Sequence, residues 1–171
     1  GKFAAHLAIL ALAVTVGYAI AAAAAFQADP RSATGLPALV RLTWTSLLLG
    51  AAFLGLGYAI SAVARRPGAA AGMVIGLWLV LIVLYDIALL AAVVADGSGA
   101  FTSQAFSWLL LVNPADAFRL YNLAASDATA AAAGIGGAAG TIPPDRALAS
   151  LILWSAGGFA LAAAAFRRVT P

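Results

Sequence analysis

The 171-residue chain has no cysteine and no glutamate, one histidine and one methionine. Without cysteine there is neither a disulfide framework nor a thiolate metal site. A lone His6 and a lone Met73 do not make a metal cage, so no metal site is expected. Charge is scarce as well: 9% of positions are charged and 64% hydrophobic, against roughly 25% and 45 to 50% in globular proteins. A water-soluble domain has nowhere to hide that much apolar surface. The nine basic and six acidic side chains leave a formal net charge of +3, too little for a nucleic-acid-binding surface. Catalytic signatures are missing too. No G-x-x-x-x-G-K-[ST] phosphate loop occurs, and Gly134-Ile135-Gly136-Gly137 precedes no lysine. H-E-x-x-H, G-x-S-x-G and Cys-x-x-Cys are absent, so neither a zinc protease nor a serine hydrolase has its parts, and the chain is not expected to be an enzyme.

What the sequence does have is long apolar runs. Four are of a length to cross a bilayer of about 30 Å: residues 3–26, 42–64, 69–95 and 147–166. The fold class expected is therefore all-α, a polytopic transmembrane helix bundle. The first run holds eleven alanines and is only moderately apolar, so it should prefer protein neighbours. His6 near its end reads as a hydrogen-bonded or interfacial histidine. Ser46, Gly50, Gly55 and Gly57 in the second run, and the Gly72/Gly76 pair in the third, supply small residues for close helix contacts. The third run carries one carboxylate, Asp86, after Tyr85. Fourteen Leu, Ile and Val residues, at about −0.3 to −0.6 kcal/mol each, outweigh the roughly +2.5 to +3.5 kcal/mol of one central aspartate.

Between the second and third runs stands Ala64-Arg65-Arg66-Pro67-Gly68. Charge and proline cannot continue a lipid-buried helix, so this is a wet turn. Arginine pairs gather on the cytoplasmic side, which makes Arg65, Arg66, Arg167 and Arg168 cytoplasmic anchors. That orientation puts five basic residues and no acid inside, and four basic and five acidic residues outside. Residues 27–41, with Asp29-Pro30-Arg31-Ser32 and Pro37, then read as an outer loop.

After the turn Asp96-Gly97-Ser98-Gly99, the apolar stretch 101–112 is too short to cross and reads as interfacial or re-entrant. Asn113-Pro114 restarts a helix, Asn as N-cap and Pro at the first helical position. Asp116 lies near its positive end, three residues before Arg119, and Phe118, Tyr121 and Leu120 form an apolar side. Residues 113–125 are expected as an interfacial helix at the outer surface. The Ala/Gly-rich stretch 127–144 reads as a loop or weak turn. Asp86 is the one acid inside a span, and Tyr85 and Asp86 are the candidate substrate-path or helix-contact residues. Thr15, Tyr18, Ser150 and Ser155 are the hydrogen-bond partners the sequence offers Asp86.

The opening Gly1-Lys2-Phe3, the block from Gly55-Leu56-Gly57-Tyr58 to Arg65-Arg66, the run from Gly76-Leu77-Trp78 to Leu84-Tyr85-Asp86 and above all Asn113-Pro114-Ala115-Asp116-Ala117-Phe118-Arg119-Leu120 carry a resemblance. The chain resembles ABC-2 type transporter permeases and, among them, the NosY-type permeases of nitrous oxide reductase maturation. The resemblance implies a single permease domain over 1–171, the C-terminal part of a six-helix subunit whose last four helices are the four runs. It implies a multi-pass protein of the cell inner membrane that dimerises with a second copy and sits on cytoplasmic ATPase subunits. ATP is then bound by that partner, and no cofactor is expected in this chain. The ATPase-gripping helix would lie upstream of Gly1, in keeping with a start at Gly-Lys-Phe without an initiator methionine. A cleaved signal peptide is the rival reading, disfavoured by the length of the first run. The resemblance further implies alternating access, a periplasmic accessory protein, and support of copper-sulfur site assembly with a sulfur species as cargo, in line with the scarcity of Met, His and Cys. The alternatives are an ABC-2 exporter for a lipid, drug or polysaccharide, an intramembrane enzyme using Asp86 and Tyr85, and a purely structural subunit.

Overall fold

A computed structural model describes residues 1–64, 66–123 and 142–169. Arg65, residues 124 and 125 of the outer segment, and all but the last three residues of the 127–144 stretch lie outside the described residues. Every element described is helical. Helix α1 is Lys2–Ala28, followed by a 3-10 segment, Pro30–Gly35, and by α2, Leu36–Val63. Helix α3, Pro67–Leu79, continues through a π-helical segment, Val80–Leu84, into α4, Tyr85–Ala95. Three short helices follow, α5 (Ala100–Gln104), α6 (Phe106–Val112) and α7 (Pro114–Leu123), and then the long α8, Pro144–Val169. Four stretches are long and apolar enough to cross a membrane: Lys2–Ala28, Pro30–Val63, Pro67–Ala95 and Pro144–Arg168. The chain is a multi-pass membrane protein, an all-α bundle as the composition requires.

One boundary departs from expectation. Residues 27–41 are not a loop. Asp29 accepts the Arg31 N–H at 2.9 Å and starts the 3-10 segment, and α2 is under way from Leu36. Pro37 stands in the first turn of α2, where its missing N–H has no helical partner to lose. Here proline starts a helix instead of marking a loop.

Helices α1 and α2 run antiparallel. Leu10 covers Gly50, the Tyr18 hydroxyl meets Ser46 Oγ at 3.2 Å, and His6 Nδ1 meets the Tyr58 hydroxyl at 2.5 Å. His6 is thus hydrogen-bonded, as read from the sequence. No residue of α1 is buried.

Helices α2 and α8 run parallel and cross at Gly55 and Gly158. A Cβ on Gly55 would fall 2.4 Å from the Gly158 carbonyl carbon, so only glycine allows the two backbones this approach. Ser155 Oγ donates to the Leu48 carbonyl at 2.7 Å nearby. Phe3, Tyr58, Phe159 and Phe166 make edge and tilted ring contacts at one end of the bundle. The Gly72/Gly76 pair makes no such contact: nothing lies within 4 Å of where their Cβ atoms would be.

The buried apolar core lies toward the opposite end. Leu89 of α4, Leu110 of α6, Leu120 of α7, and Ile142 and Ala147 around the start of α8 form it, with Tyr85, Phe101, Phe106 and Leu109 packed against them.

Candidate functional site

Helices α5, α6 and α7 form a re-entrant hairpin. Its entry is the expected turn: Gly99 takes φ +71°, and Asp96 Oδ2 accepts the Thr102 N–H at 2.7 Å. That backbone hydrogen bond, foremost, holds the Asp96 carboxyl below its ordinary pKa. The chain descends through α5 and α6, turns at Asn113-Pro114 and returns along α7 to the start of α2.

Two rulers give the depth of the turn. Trp154 of α8, ten residues past Pro144, donates its indole N–H to the Val112 carbonyl at 2.9 Å. At a rise of 1.5 Å per residue this is about 15 Å below the start of α8. On the other side, Asn113 Nδ2 donates to the Leu81 carbonyl at 2.6 Å, and Leu81 is the middle residue of the 29-residue span Pro67–Ala95. Both rulers place the turn near the midplane.

Backbone broken at that depth leaves carbonyls that water cannot serve, and side chains serve them here. Ser150 Oγ of α8 donates to the Leu111 carbonyl, Trp154 to Val112, and the Tyr85 hydroxyl of α4 to Leu109 at 2.7 Å. Asn113 works in both directions. Its Oδ1 accepts the Ala115 N–H at 2.8 Å as the N-cap of α7, while its Nδ2 reaches the π segment. It is 1% exposed.

Helix α7 is not laid on a surface. Pro114, Ala115, Asp116, Ala117, Leu120 and Asn122 are buried, because α7 wedges between α2, α6 and α8. Only Phe118, Arg119, Tyr121 and Leu123 keep partial exposure. At its far end Asn122 Nδ2 donates to Thr45 Oγ1 at 3.0 Å, and Arg41 Nη2 donates to the Asn122 carbonyl at 3.2 Å. Arg41 also lies 6.0 Å over the Tyr121 ring.

The charged centre is a trio. Arg119 Nη1 donates to Asp86 Oδ2 at 2.6 Å and to Asp116 Oδ1 at 2.9 Å. Asp86 and Arg119 keep 39% and 35% of their side chains accessible, whereas Asp116 keeps 4%. The second Asp116 oxygen is buried without a partner. The helix N-terminus favours a charge on Asp116, but burial first, then the nearby charge of Asp86, overcome this and Arg119 together and push its pKa up to about 6. Burial alone would lower the Arg119 pKa; its hydrogen bond to Asp86 and the attraction of Asp86 raise it instead. The cation is secure.

The site residues read from the sequence therefore divide. Tyr85, Asp86, Asn113, Pro114, Asp116 and Arg119 come together where the third span meets the hairpin. Phe118 sits half-buried beside them, its carbonyl accepting Asn122 Nδ2 at 2.9 Å. Arg66 caps α3 and is exposed, and Arg167 and Arg168 end α8. Asp86 pairs with none of the partners considered: Tyr18, Ser150 and Ser155 are bonded elsewhere, Thr15 is exposed on α1, and the partner is Arg119. Tyr85 and Asp86 do not act on a common point, as the hydroxyl serves Leu109 and the carboxylate serves Arg119. The reading from sequence missed Thr45, Asn122, Ser150 and Trp154 as members of this polar framework. Ser150 and Trp154 carried a signal, a polar pair four residues apart on one face of the last span. Among the described residues no group of three or more His, Cys, Asp or Glu is placed to hold a metal ion.

Relatives share this chain's sequence along nearly all its length. Two proteins named "Probable ABC transporter permease protein NosY" align with it over 172 residues, that of Pseudomonas aeruginosa at 42% identity and that of Stutzerimonas stutzeri at 36%. Each alignment covers 98% of this chain and 62% of the relative, so the chain spans about three-fifths of the length of these relatives. The family described as ABC-2 family transporter protein matches residues 1–170, and the chain belongs to it.

Proposed function

We propose that this chain is the C-terminal part of a NosY-type permease in the inner membrane, a permease that moves a small substrate by alternating access driven by separate cytoplasmic ATPase subunits. ATP is bound by those subunits and not by this chain. Two copies form the permease, a periplasmic accessory protein receives the cargo, and the system supports copper-sulfur site assembly in nitrous oxide reductase. A sulfur species suits the chain better than copper, because soft copper needs thiolate, thioether or imidazole ligands, and cysteine is absent while His and Met occur once each.

The observation that carries the reading is the polar, broken hairpin at mid-depth. Irregular backbone is tolerated inside a membrane where protein buries it or where it lines a wet cavity, and ionisable groups at that depth mark substrate and ion paths. A purely structural bundle of four spans has no need of the Asp86, Arg119 and Asp116 trio.

The test uses the full-length protein. Co-expressed with its cognate ATPase subunit, it should co-purify with it, and in proteoliposomes the complex should hydrolyse ATP faster than the ATPase alone. Failure to associate sinks the reading. The orientation is tested by single cysteines placed in a cysteine-free version of the full-length protein: Ser98→Cys should react with an impermeant thiol reagent on spheroplasts and Gly68→Cys should not. Both positions are exposed.

A further inference from the structure

A second property of the trio goes beyond transport itself. We infer that Asp116 and Asp86, held on the single guanidinium of Arg119, form a one-proton binding site, which makes the joint between the third span and the hairpin a proton-loaded element of the permease.

The geometry carries this. Asp116 is 3% exposed, and its Oδ1 takes Arg119 Nη1 at 2.9 Å while its Oδ2 is buried with no partner. An ionised carboxylate does not leave an oxygen dry and unpaired without a large cost. A proton on Oδ2 removes the charge and turns that oxygen into a donor, and Asp86 is the group whose hydrogen bonding favours the protonated form. Two carboxylates and one guanidinium carry a net charge of −1; with one proton the set is neutral. Beside the charge of Asp86, the Asp116 carboxyl gives up its proton later than an isolated one would.

The proton balance is simple. Loaded, the site is Asp116-COOH, Asp86 carboxylate and Arg119 guanidinium. Unloaded, both carboxylates share Arg119 and the proton has gone to water reached past Asp86 and Arg119, the members of the trio that this chain leaves uncovered. At this end of the packed elements the other ionisable groups are Tyr85 of α4, Tyr121 of α7, Arg41 of α2, and Asp145 and Arg146 at the start of α8, while Tyr58 of α2 and Arg167 and Arg168 of α8 lie at the opposite end. Tyr85 is committed to Leu109, Arg41 to Asn122 and the Tyr121 ring, and Arg146 lies over Trp108. The charges acting on the Asp116 carboxyl are those of Asp86 and Arg119. Burial, first, and Asp86, second, raise its pKa well above the ordinary carboxylate range.

Infrared difference spectroscopy on the full-length protein in liposomes tests this, by titrating the C=O stretch of a protonated carboxyl from about pH 4 to 8. A band that survives more than one pH unit above the ordinary aspartate range, and that Asp116→Asn abolishes, is the expected result. In Asp86→Asn the band should titrate at lower pH, because the like charge and the carboxylate acceptor are gone. Loss of the wild-type band by pH 5 overturns the inference, as does its persistence in Asp116→Asn. If Asp116→Asn does not fold, the wild-type titration and the direction of the Asp86→Asn shift decide. An unshifted Asp86→Asn midpoint also overturns it. These spectra need neither the ATPase nor a transport assay, so their outcome is independent of the proposed function.

Discussion

Replacing Asn113 with alanine should cost far more than a surface Asn→Ala change. Two bonds are lost at once. The N-cap bond to the Ala115 N–H, 2.8 Å long, is worth about 1 kcal/mol. The bond from Nδ2 to the Leu81 carbonyl, 2.6 Å long, adds about another 1 kcal/mol for a typical intramolecular bond. The sum, about 2 kcal/mol, is roughly a 30-fold change in the folding equilibrium. Two variants separate the bonds. Asn113→Ser keeps a capping oxygen but no reach to Leu81 and should recover about half the loss. Asn113→Asp keeps the acceptor and faces Leu81 with a carboxylate instead of a donor, so it should be no more stable than Asn113→Ala. Reversible unfolding of the full-length protein in mixed micelles, followed by tryptophan fluorescence, reads these differences. Trp154 is bonded to Val112, next to the mutated residue, and reports on the turn directly. Asn113→Ala within about 0.5 kcal/mol of wild type, or full recovery in Asn113→Asp, would refute the two-way role of this side chain.

Glycines offer a matched pair. Gly55→Ala drives a Cβ to 2.4 Å from the Gly158 carbonyl carbon and 2.8 Å from the Phe159 nitrogen, all of it backbone, so α2 and α8 must part and stability should fall by about 1 to 3 kcal/mol. Gly72→Ala meets nothing within 4 Å and should show no loss in the same unfolding assay. The pH dependence has a fixed sign. Asp116 holds its proton more tightly folded, pKa about 6 against 3.8, so its contribution is full below the unfolded pKa and is lost as pH rises through the folded one. At 1.36 kcal/mol per unit, stability should drop by about 3 kcal/mol across that window, and Asp116→Asn should flatten the drop. A wild-type stability that rises over the same window would contradict the burial argument.

The spans were legible because fourteen branched apolar residues around one carboxylate leave no soluble alternative for the third run. The start of α7 was legible as well, since Asn-Pro is a local signal and the capping bond it encodes is made. Two readings failed for reasons that lie outside local sequence. Pro37 looks the same at the start of a helix as in a loop, because a proline in the first turn loses no helical hydrogen bond and its spacing alone does not say which it starts. Helix α7 carries Asp116, Arg119 and Asn122, a polarity that belongs at a water interface unless partners elsewhere in the chain satisfy it. Those partners, Asp86 and Thr45, are 33 and 77 residues away, and no spacing rule reaches that far. Placing α7 at a surface also takes Arg119 away from Asp86, which leaves the hydroxyls of the other spans as the partners on offer.

The contacts that hold this bundle are of two physical kinds. Between lipid-soluble helices, burying one leucine against another gains little over leaving it in lipid, so what fixes a helix pair is close backbone approach or polar bonding. Helices α2 and α8 use the first: two glycines bring backbone onto backbone, a contact indifferent to pH and salt. The third span uses the second toward the hairpin, through Tyr85 to Leu109, Asn113 to Leu81 and Asp86 to Arg119. Bonds of that kind are strongest where water is excluded and weaken as it enters, because water offers each partner a substitute. Asp86 and Arg119 are the members of this joint with more than a third of their side chains accessible. Wetting therefore loosens the hairpin joint first, while the glycine crossing of α2 and α8 keeps its geometry.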